Sequence, residues 1–230
     1  MRSSATWSSA LLLALLWLLC GHPAAAAVVW SATDLGAGIS GGGTTAVTTT
    51  TTADTSGRDT KSFSSGKIYY EFTATSTGNQ FAGWANPSHS NSTILGVGGV
   101  GNSIGVRGTL GIRFEGTDEG VGTFAAGDRI ALAFDIDDFR FWWKDITAGG
   151  AWEPSGDPNT LTGGYSASVD VNFNPTNFTG PYLPAYSFST QSGNTCTAFF
   201  TPASFTGTIP TGFQAVDPGG TTRTLLGVGQ

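Results

Sequence analysis

The stretch that most restricts the fold is Gly127 to Ile146, GDRIALAFDIDDFRFWWKDI. Ile130, Leu132, Phe134 and Ile136 alternate with Arg129, Ala131, Ala133 and Asp135, the period of a strand with one buried face. Phe139, Phe141 and Trp143 resume that alternation beyond a break. A two-residue turn at Asp137 and Asp138 places 136 opposite 139, 134 opposite 141 and 132 opposite 143, so every pair on that face is apolar. The other face sets Asp135 opposite Arg140, an opposite-charge pair worth about 0.2–1 kcal/mol. A slip of one residue destroys both patterns.

The N-terminus reads as a processing signal: Arg2 supplies the charge, Ala10 to Cys20 is an apolar run of eleven, and Ala24 to Ala27 offers small residues for cleavage. Eleven residues fall short of the roughly 20 that span a bilayer. An uncleaved anchor is the alternative, and a lipoprotein site is disfavoured because Leu19 precedes Cys20. The expected organisation is a signal peptide over 1–26, one domain over 27–216 and a short tail over 217–230, in a protein secreted to an extracellular or periplasmic space. No stable membrane insertion is expected after cleavage.

Loss of Arg2 leaves 9 basic against 16 acidic side chains, a net charge of −7, which argues against nucleic acid as a partner. Cys196 then has no partner for an internal disulfide, so the fold depends on its core. With 34 glycines, 11% charged residues, many Thr and Ser and no sustained helical periodicity, the chain is expected to be all-β.

Further strands are expected at Val28 to Ser31, with Trp30 as a core anchor, and at Gly66 to Phe72, where Ile68, Tyr70 and Phe72 share one face and Tyr69 and Glu71 the other. Thr44 to Thr52 is expected to be an edge strand, with a flexible O-glycosylated tether as the alternative. Ser103 to Arg107 and Leu110 to Glu115 form a hairpin around Gly108 and Thr109, and Pro181 to Phe188 and Thr195 to Thr201 supply two more strands.

Candidate chemistry is sparse. His89 is the only histidine left after cleavage, which disfavours a zinc site and any Ser-His-Asp triad not based on it. Glu71 is a lone strand carboxylate. Asp135, Asp137 and Asp138 superficially resemble a glucanase acidic strand, but the third acid is missing and Arg140 can neutralise Asp135. Asp170, Asn172 and Asn174 alternate as oxygen donors and are weak metal candidates; an EF-hand loop fails because Pro175 stands where Gly is required. No catalytic residue and no cofactor is assigned. Trp142 lies opposite Ala133 on the face away from Trp143, so either a second layer such as the loop from Trp152 to Gly164 covers it, or it contacts ligand. Trp152, with Glu153 and Asp157 beside it, is an apolar anchor among polar neighbours, the composition of a binding hot spot, or else a plug for the end of the fold.

These segments together resemble the SPRY domain family in the form often found in phage-derived and bacterial proteins. GKIYYEF is similar to the family's opening G-K-x-Y-x-E strand, FAGWAN to the strand that follows, and FAAGDRIALAFDID with RFWWKD to its central hairpin, with Asp145 where the family usually has Asn. AWEPSGDPNTLTGGYS resembles the Trp- and Gly-containing connection of phage-type members and GPYLPAYSF the strand after it. In the closing element Phe200, Thr201 and Pro202 replace Asn-Phe-Gly. The resemblance runs from about residue 30 to 216. It implies a single antiparallel two-sheet β-sandwich of the concanavalin A-like type with about 12 strands, and a non-enzymatic module whose loops bind a protein or peptide, with a phage surface or tail component as a plausible context. The alternatives are a lectin-like carbohydrate-binding module and, more remotely, a glucanase-type hydrolase. Binding is expected to use three long loops, Pro87 to Asn102, Phe114 to Gly122 and Ala148 to Gly164.

Overall fold

The computed structural model describes residues 27–219 apart from 44, 51–52, 79, 98–100, 121 and 191. The expected signal segment 1–26 and most of the tail lie outside the described residues. The chain forms β1 (Trp30–Leu35), β2 (Ile39–Ser40), β3 (Ala46–Thr49), β4 (Thr55–Asp59), β5 (Lys67–Ala74), β6 (Gln80–Ala85), β7 (Ser103–Arg107) and β8 (Gly111–Phe114). It continues through β9 (Thr117–Asp118), β10 (Arg129–Asp135), β11 (Arg140–Asp145), β12 (Gly156–Asp157) and β13 (Thr162–Gly163). The last strands are β14 (Leu183–Phe188), β15 (Thr195–Phe199) and β16 (Gln214–Ala215). One sheet has the order β1-β4-β14-β6-β7-β8-β9, the other β11-β10-β5-β15-β3-β2, and β12-β13 is a separate ribbon. Pairing is antiparallel throughout except where β16 runs parallel to β5. The count exceeds the expected dozen because five of these strands are two-residue ladders within connections.

The central hairpin has the expected register: Leu132 faces Trp143, Ala133 faces Trp142, Phe134 faces Phe141 and Asp135 faces Arg140. The turn is longer than expected, because the strands end at Asp135 and Arg140 and leave 136–139 as the loop. The Asp135 carboxylate accepts the N–H groups of Asp137 (3.2 Å) and Asp138 (3.1 Å) and so caps it. Phe139, not either aspartate, takes the left-handed conformation, at φ 53°. The expected Asp135–Arg140 ion pair gives way to others: Asp135 pairs with Lys67, its neighbour on β5, and Arg140 donates to the Leu161 carbonyl at 2.7 Å.

The inner faces interdigitate as an aromatic core. Ile68, Tyr70, Phe72, Leu132, Phe134, Phe141 and Trp143 from one sheet are buried against Trp84, Ile104, Val106, Phe114, Tyr186 and Phe188 from the other. Trp84 lies 5.6 Å from Phe134 and Trp30 lies 4.6 Å from Tyr186, ring centre to ring centre. The first strand starts two residues later than expected, with Trp30 fully buried as the anchor. The Thr-rich segment contributes β3, which is not an edge strand because β2 pairs outside it.

Both outer faces are also covered. Outside β5, β10 and β11, Tyr69, Ala131, Ala133 and Trp142 lie beneath Leu161, Phe205, Ile209 and Phe213. The segment from Glu153 to Tyr165 closes the free edge of β11: Trp143 and Glu153 exchange backbone hydrogen bonds of 3.0 and 2.8 Å, as do Phe141 and Tyr165 at 2.9 and 2.7 Å. An edge that would otherwise present unpaired amides is thereby satisfied. On the other sheet, Ile94 and Leu95 of the long loop after β6 cover Phe81, Ala85 and Ala185.

Sequence periodicity gives no sign of β4. Its residues, Thr-Ser-Gly-Arg-Asp, have the composition of a turn, yet all five are buried between β1 and β14. Arg58 makes this tolerable. Its Nε and Nη2 hold Asp34 in a two-point pair at 2.5 and 2.6 Å, and Nη1 donates to the carbonyls of Asn86 and His89 at 2.8 Å each. Gly57 is required by close approach, since a Cβ there would lie 2.3 Å from the Tyr186 hydroxyl.

Candidate functional site

Two recesses stand out, one at the hairpin end of the sandwich and one on an outer sheet face. The end recess has a volume of about 390 Å³. One wall is the turn Asp137, Asp138, Phe139 and Arg140; the other is Ser166 to Ser168 and Phe173 to Pro175, from the connection between β13 and β14. That connection is fixed from below. Phe173 packs on Phe139 at 4.7 Å and on Tyr165 at 5.0 Å, and Phe178 on Tyr182 at 4.9 Å, all of them buried. Above this base Val169 and Val171 project into solvent, 52% and 74% exposed. Asp137 accepts the Gly66 N–H, and Lys67 lies 3.8 Å from Asp138.

Of the oxygens considered for a metal, those of Asp170 and Asn174 serve the connection's own turns, and Asn172 joins them through its backbone. Asp170 accepts the Tyr165 hydroxyl at 3.0 Å through one oxygen and the Asn172 N–H at 2.9 Å through the other. Asn174 accepts the N–H groups of Thr176 and Asn177 at 2.9 and 3.1 Å. Burial, then the neighbouring Asp170 and Glu119 carboxylates, pushes the Tyr165 phenol far above its ordinary pKa. Among the described residues no group of three or more His, Cys, Asp or Glu side chains is placed to hold a metal ion.

The second recess, about 230 Å³, lies over the outer face of β5, β10 and β11 and is lined by Tyr69, Ala131, Lys144, Trp152 and Asn159 among others. Trp152 is half-buried on its wall, a position open to ligand. Trp142 is nearby but closed off: its indole is fully buried, Nε1 donates to the Thr162 carbonyl at 3.1 Å, and a Cβ at Gly164 would lie 2.5 Å from its ring. The loop from Trp152 to Gly164 is its cover, and a ligand cannot reach it. Glu153 is bound by its backbone to Trp143, and Asp157 caps its own turn by accepting the Asn159 N–H at 2.8 Å.

Glu71 is fully buried beneath this recess, accepting the Tyr69 hydroxyl (2.8 Å) and the N–H groups of Thr206 (2.9 Å) and Gly207 (2.8 Å), with Arg129 Nε at 3.3 Å. A carboxylate so engaged ties the C-terminal segment to the sheet, and its oxygens are taken up by the fold. His89 is buried too, its Nε2 3.2 Å from Ser56 Oγ. Burial, and then the Arg58 charge, pushes its pKa down to about 4. The Ser–His contact lies inside the fold, where no substrate reaches the hydroxyl.

Of the three loops expected to bind, the first packs Ile94, Leu95 and Val97 and the last Trp152 and Leu161 on outer sheet faces, and Asp118 in the second is held by Arg107 (2.8 Å) and Arg113 (3.4 Å). The residues that the sequence argument missed are Val169 and Val171. In SVDVNFN the two valines alternate with polar residues and lead to Phe173, a pattern that suits a half-buried strand equally well and gives no sign of their exposure.

No family model matches the chain, and no curated protein does. Solved structures match by shape. The TRIM65 PSpry domain superposes with a TM-score of 0.53 at 14% identity, covering 83% of this chain and 98% of its own. The SPRY domain of human HERC1 superposes at 0.48 and 12% identity, covering 66% of this chain and 86% of its own. At such identities the likeness is one of fold: this chain is an all-β, two-sheet sandwich similar to SPRY domains.

Proposed function

We propose that this chain is an exported, non-enzymatic binding module that engages a protein or peptide at the hairpin end of its sandwich. The observation that carries the reading is the pair of exposed valines, Val169 and Val171, on a connection anchored to a buried aromatic base beside the recess of about 390 Å³. Two exposed apolar side chains beside a recess offer a partner apolar contact, and the turn hydrogen bonds of Asp170 and Asn174 that hold their backbone limit the entropy lost on binding. Asp137, Asp138 and Arg140 supply polar partners on the facing wall. A phage-derived surface or tail component is the setting that the motif resemblance suggests, with the N-terminal apolar segment supporting export. The second reading, a carbohydrate-binding module, is favoured by Trp152 on the wall of the outer recess, where an indole face suits a sugar ring.

Peptides selected from a display library on the wild-type protein provide the test. Val169→Asp with Val171→Asp is expected to weaken binding of the selected peptides by about tenfold or more at an unchanged Tm, and EDTA is expected to leave binding intact. Equal binding by the double variant would overturn the site. Binding confined to a glycan array would favour the second reading.

A further inference from the structure

Lys144 is unusual in this acidic chain. Among the described residues no hydrogen bond or ion pair holds its ammonium, and it is the one charged side chain lining the recess of about 230 Å³. Its position follows from the sheet register: on the outer face Lys144 lies opposite Ala131, and Ala131 opposite Glu71. The single methyl of Ala131 leaves a gap between two long neighbours, and that gap is the floor of the recess. Glu71 does not cancel Lys144, because Arg129, Tyr69 and two backbone amides already occupy its carboxylate. The Asn159 amide is spent as well, donating to Asp157 at 2.7 Å and accepting the Thr211 N–H at 2.8 Å. What remains for a ligand is the Lys144 ammonium, the Thr208 hydroxyl, the indole face of Trp152 and its N–H, none of which has a partner among the described residues.

We propose that this recess binds a small carboxylate carried on a single ring. The carboxylate meets Lys144 and the ring lies against Trp152. The volume is below the roughly 300–1,000 Å³ of sites that take drug-sized ligands, which limits the occupant to about one ring with its acid group. A sugar acid and an aromatic acid share this chemistry. The site is independent of the peptide surface: Lys144 is four residues along β11 from Arg140, about 13 Å at strand spacing.

Titration of the full chain with glucuronate and with benzoate, followed by saturation-transfer NMR and calorimetry, tests the proposal. At least one acid is expected to bind with a Kd on the order of millimolar or tighter, and methyl glucoside or methyl benzoate about tenfold more weakly or not at all. Lys144→Gln is expected to lose about tenfold in affinity and Lys144→Arg to retain most of it, with circular dichroism confirming that both fold. Ala131→Leu, which fills the floor, is expected to abolish binding. Val169→Asp with Val171→Asp is expected to change nothing here, so failure at one site is distinguishable from failure at the other. Binding of glucuronate alone assigns a sugar acid, of benzoate alone an aromatic acid, and of both the shared chemistry. Absence of binding by either acid, equal binding of the neutral analogues, or unchanged affinity in Lys144→Gln would overturn it.

Discussion

Cys196 is 1% exposed and unpaired, packed among the core residues of β15. Burial pushes its thiol pKa up to about 12, so neither access nor thiolate is offered to a reagent at pH 8. Native protein is therefore expected to resist a thiol reagent that labels the urea-unfolded chain at once, and fast native labelling would place the side chain elsewhere. Gly57 is constrained from the opposite direction. Any Cβ there meets the Tyr186 ring and hydroxyl, 2.7 and 2.3 Å away, with Asp34 backbone behind at 3.0 Å. Gly57→Ala is expected to cost about 1–3 kcal/mol by urea denaturation, the range for overpacking a filled core, and a neutral result would mean that β4 shifts easily. The burial of Cys196 was legible, since CTAFF alternates it with apolar neighbours, and it was expected to be unpaired once Cys20 leaves with the signal segment. Gly57 was not, because the side chain that demands it comes from a strand 129 residues further along the chain.

The same distinction separates the elements. The hairpin of β10 and β11 was legible because its two faces carry independent patterns, apolar against apolar and charged against charged, that agree on one register. Its charged partners were not legible, since a third strand decides them: β5 brings Lys67 to Asp135, leaving Arg140 for the covering segment. Phe141→Ala is accordingly expected to cost about 3–5 kcal/mol, from a lost ring and a cavity, whereas Arg140→Ala, removing one partly exposed hydrogen bond, is expected to cost about 1 kcal/mol. Equal losses in thermal unfolding would contradict this packing. β4 was illegible because its burial is polar; periodicity detects apolar faces, and Arg58 satisfies its partners through groups scattered over β1 and the loop after β6. For the candidate site, the Trp142 cover and the Trp152 position were within reach of the sequence, one as an open alternative and one as a named residue. The exposed valines were not, because exposure depends on which loops fold over the sheets and which are left free.

At the scale of the molecule, polar burial along β4 makes two opposed contributions to the pH response of the fold. Asp59, at its end, is buried with one carboxylate oxygen lacking a partner among the described residues, and burial pushes its pKa up to about 7. His89, against Ser56 of the same strand, is pushed down to about 4. The two act in opposite senses. Between pH 6.5 and about 4 the unfolded chain takes a proton at His89 that the folded chain refuses, so stability falls with falling pH, by on the order of 3 kcal/mol in full. Between about pH 7 and 3.8 the folded chain holds a proton on Asp59 that the unfolded chain releases, so stability rises with falling pH, by on the order of 4 kcal/mol in full. The wild type is thus expected to show a flat contribution from this pair across the shared window. Asp59→Asn removes the compensating half: its Tm is expected to exceed that of the wild type at pH 8, where the buried carboxylate is charged, and to drop more steeply than the wild type from pH 6.5 to 4.5. His89→Gln is expected to show the reverse slope, gaining stability on acidification over the same range. Parallel profiles for wild type and Asp59→Asn would mean that Asp59 is charged in the fold at neutral pH and that the seam along β4 is open to water.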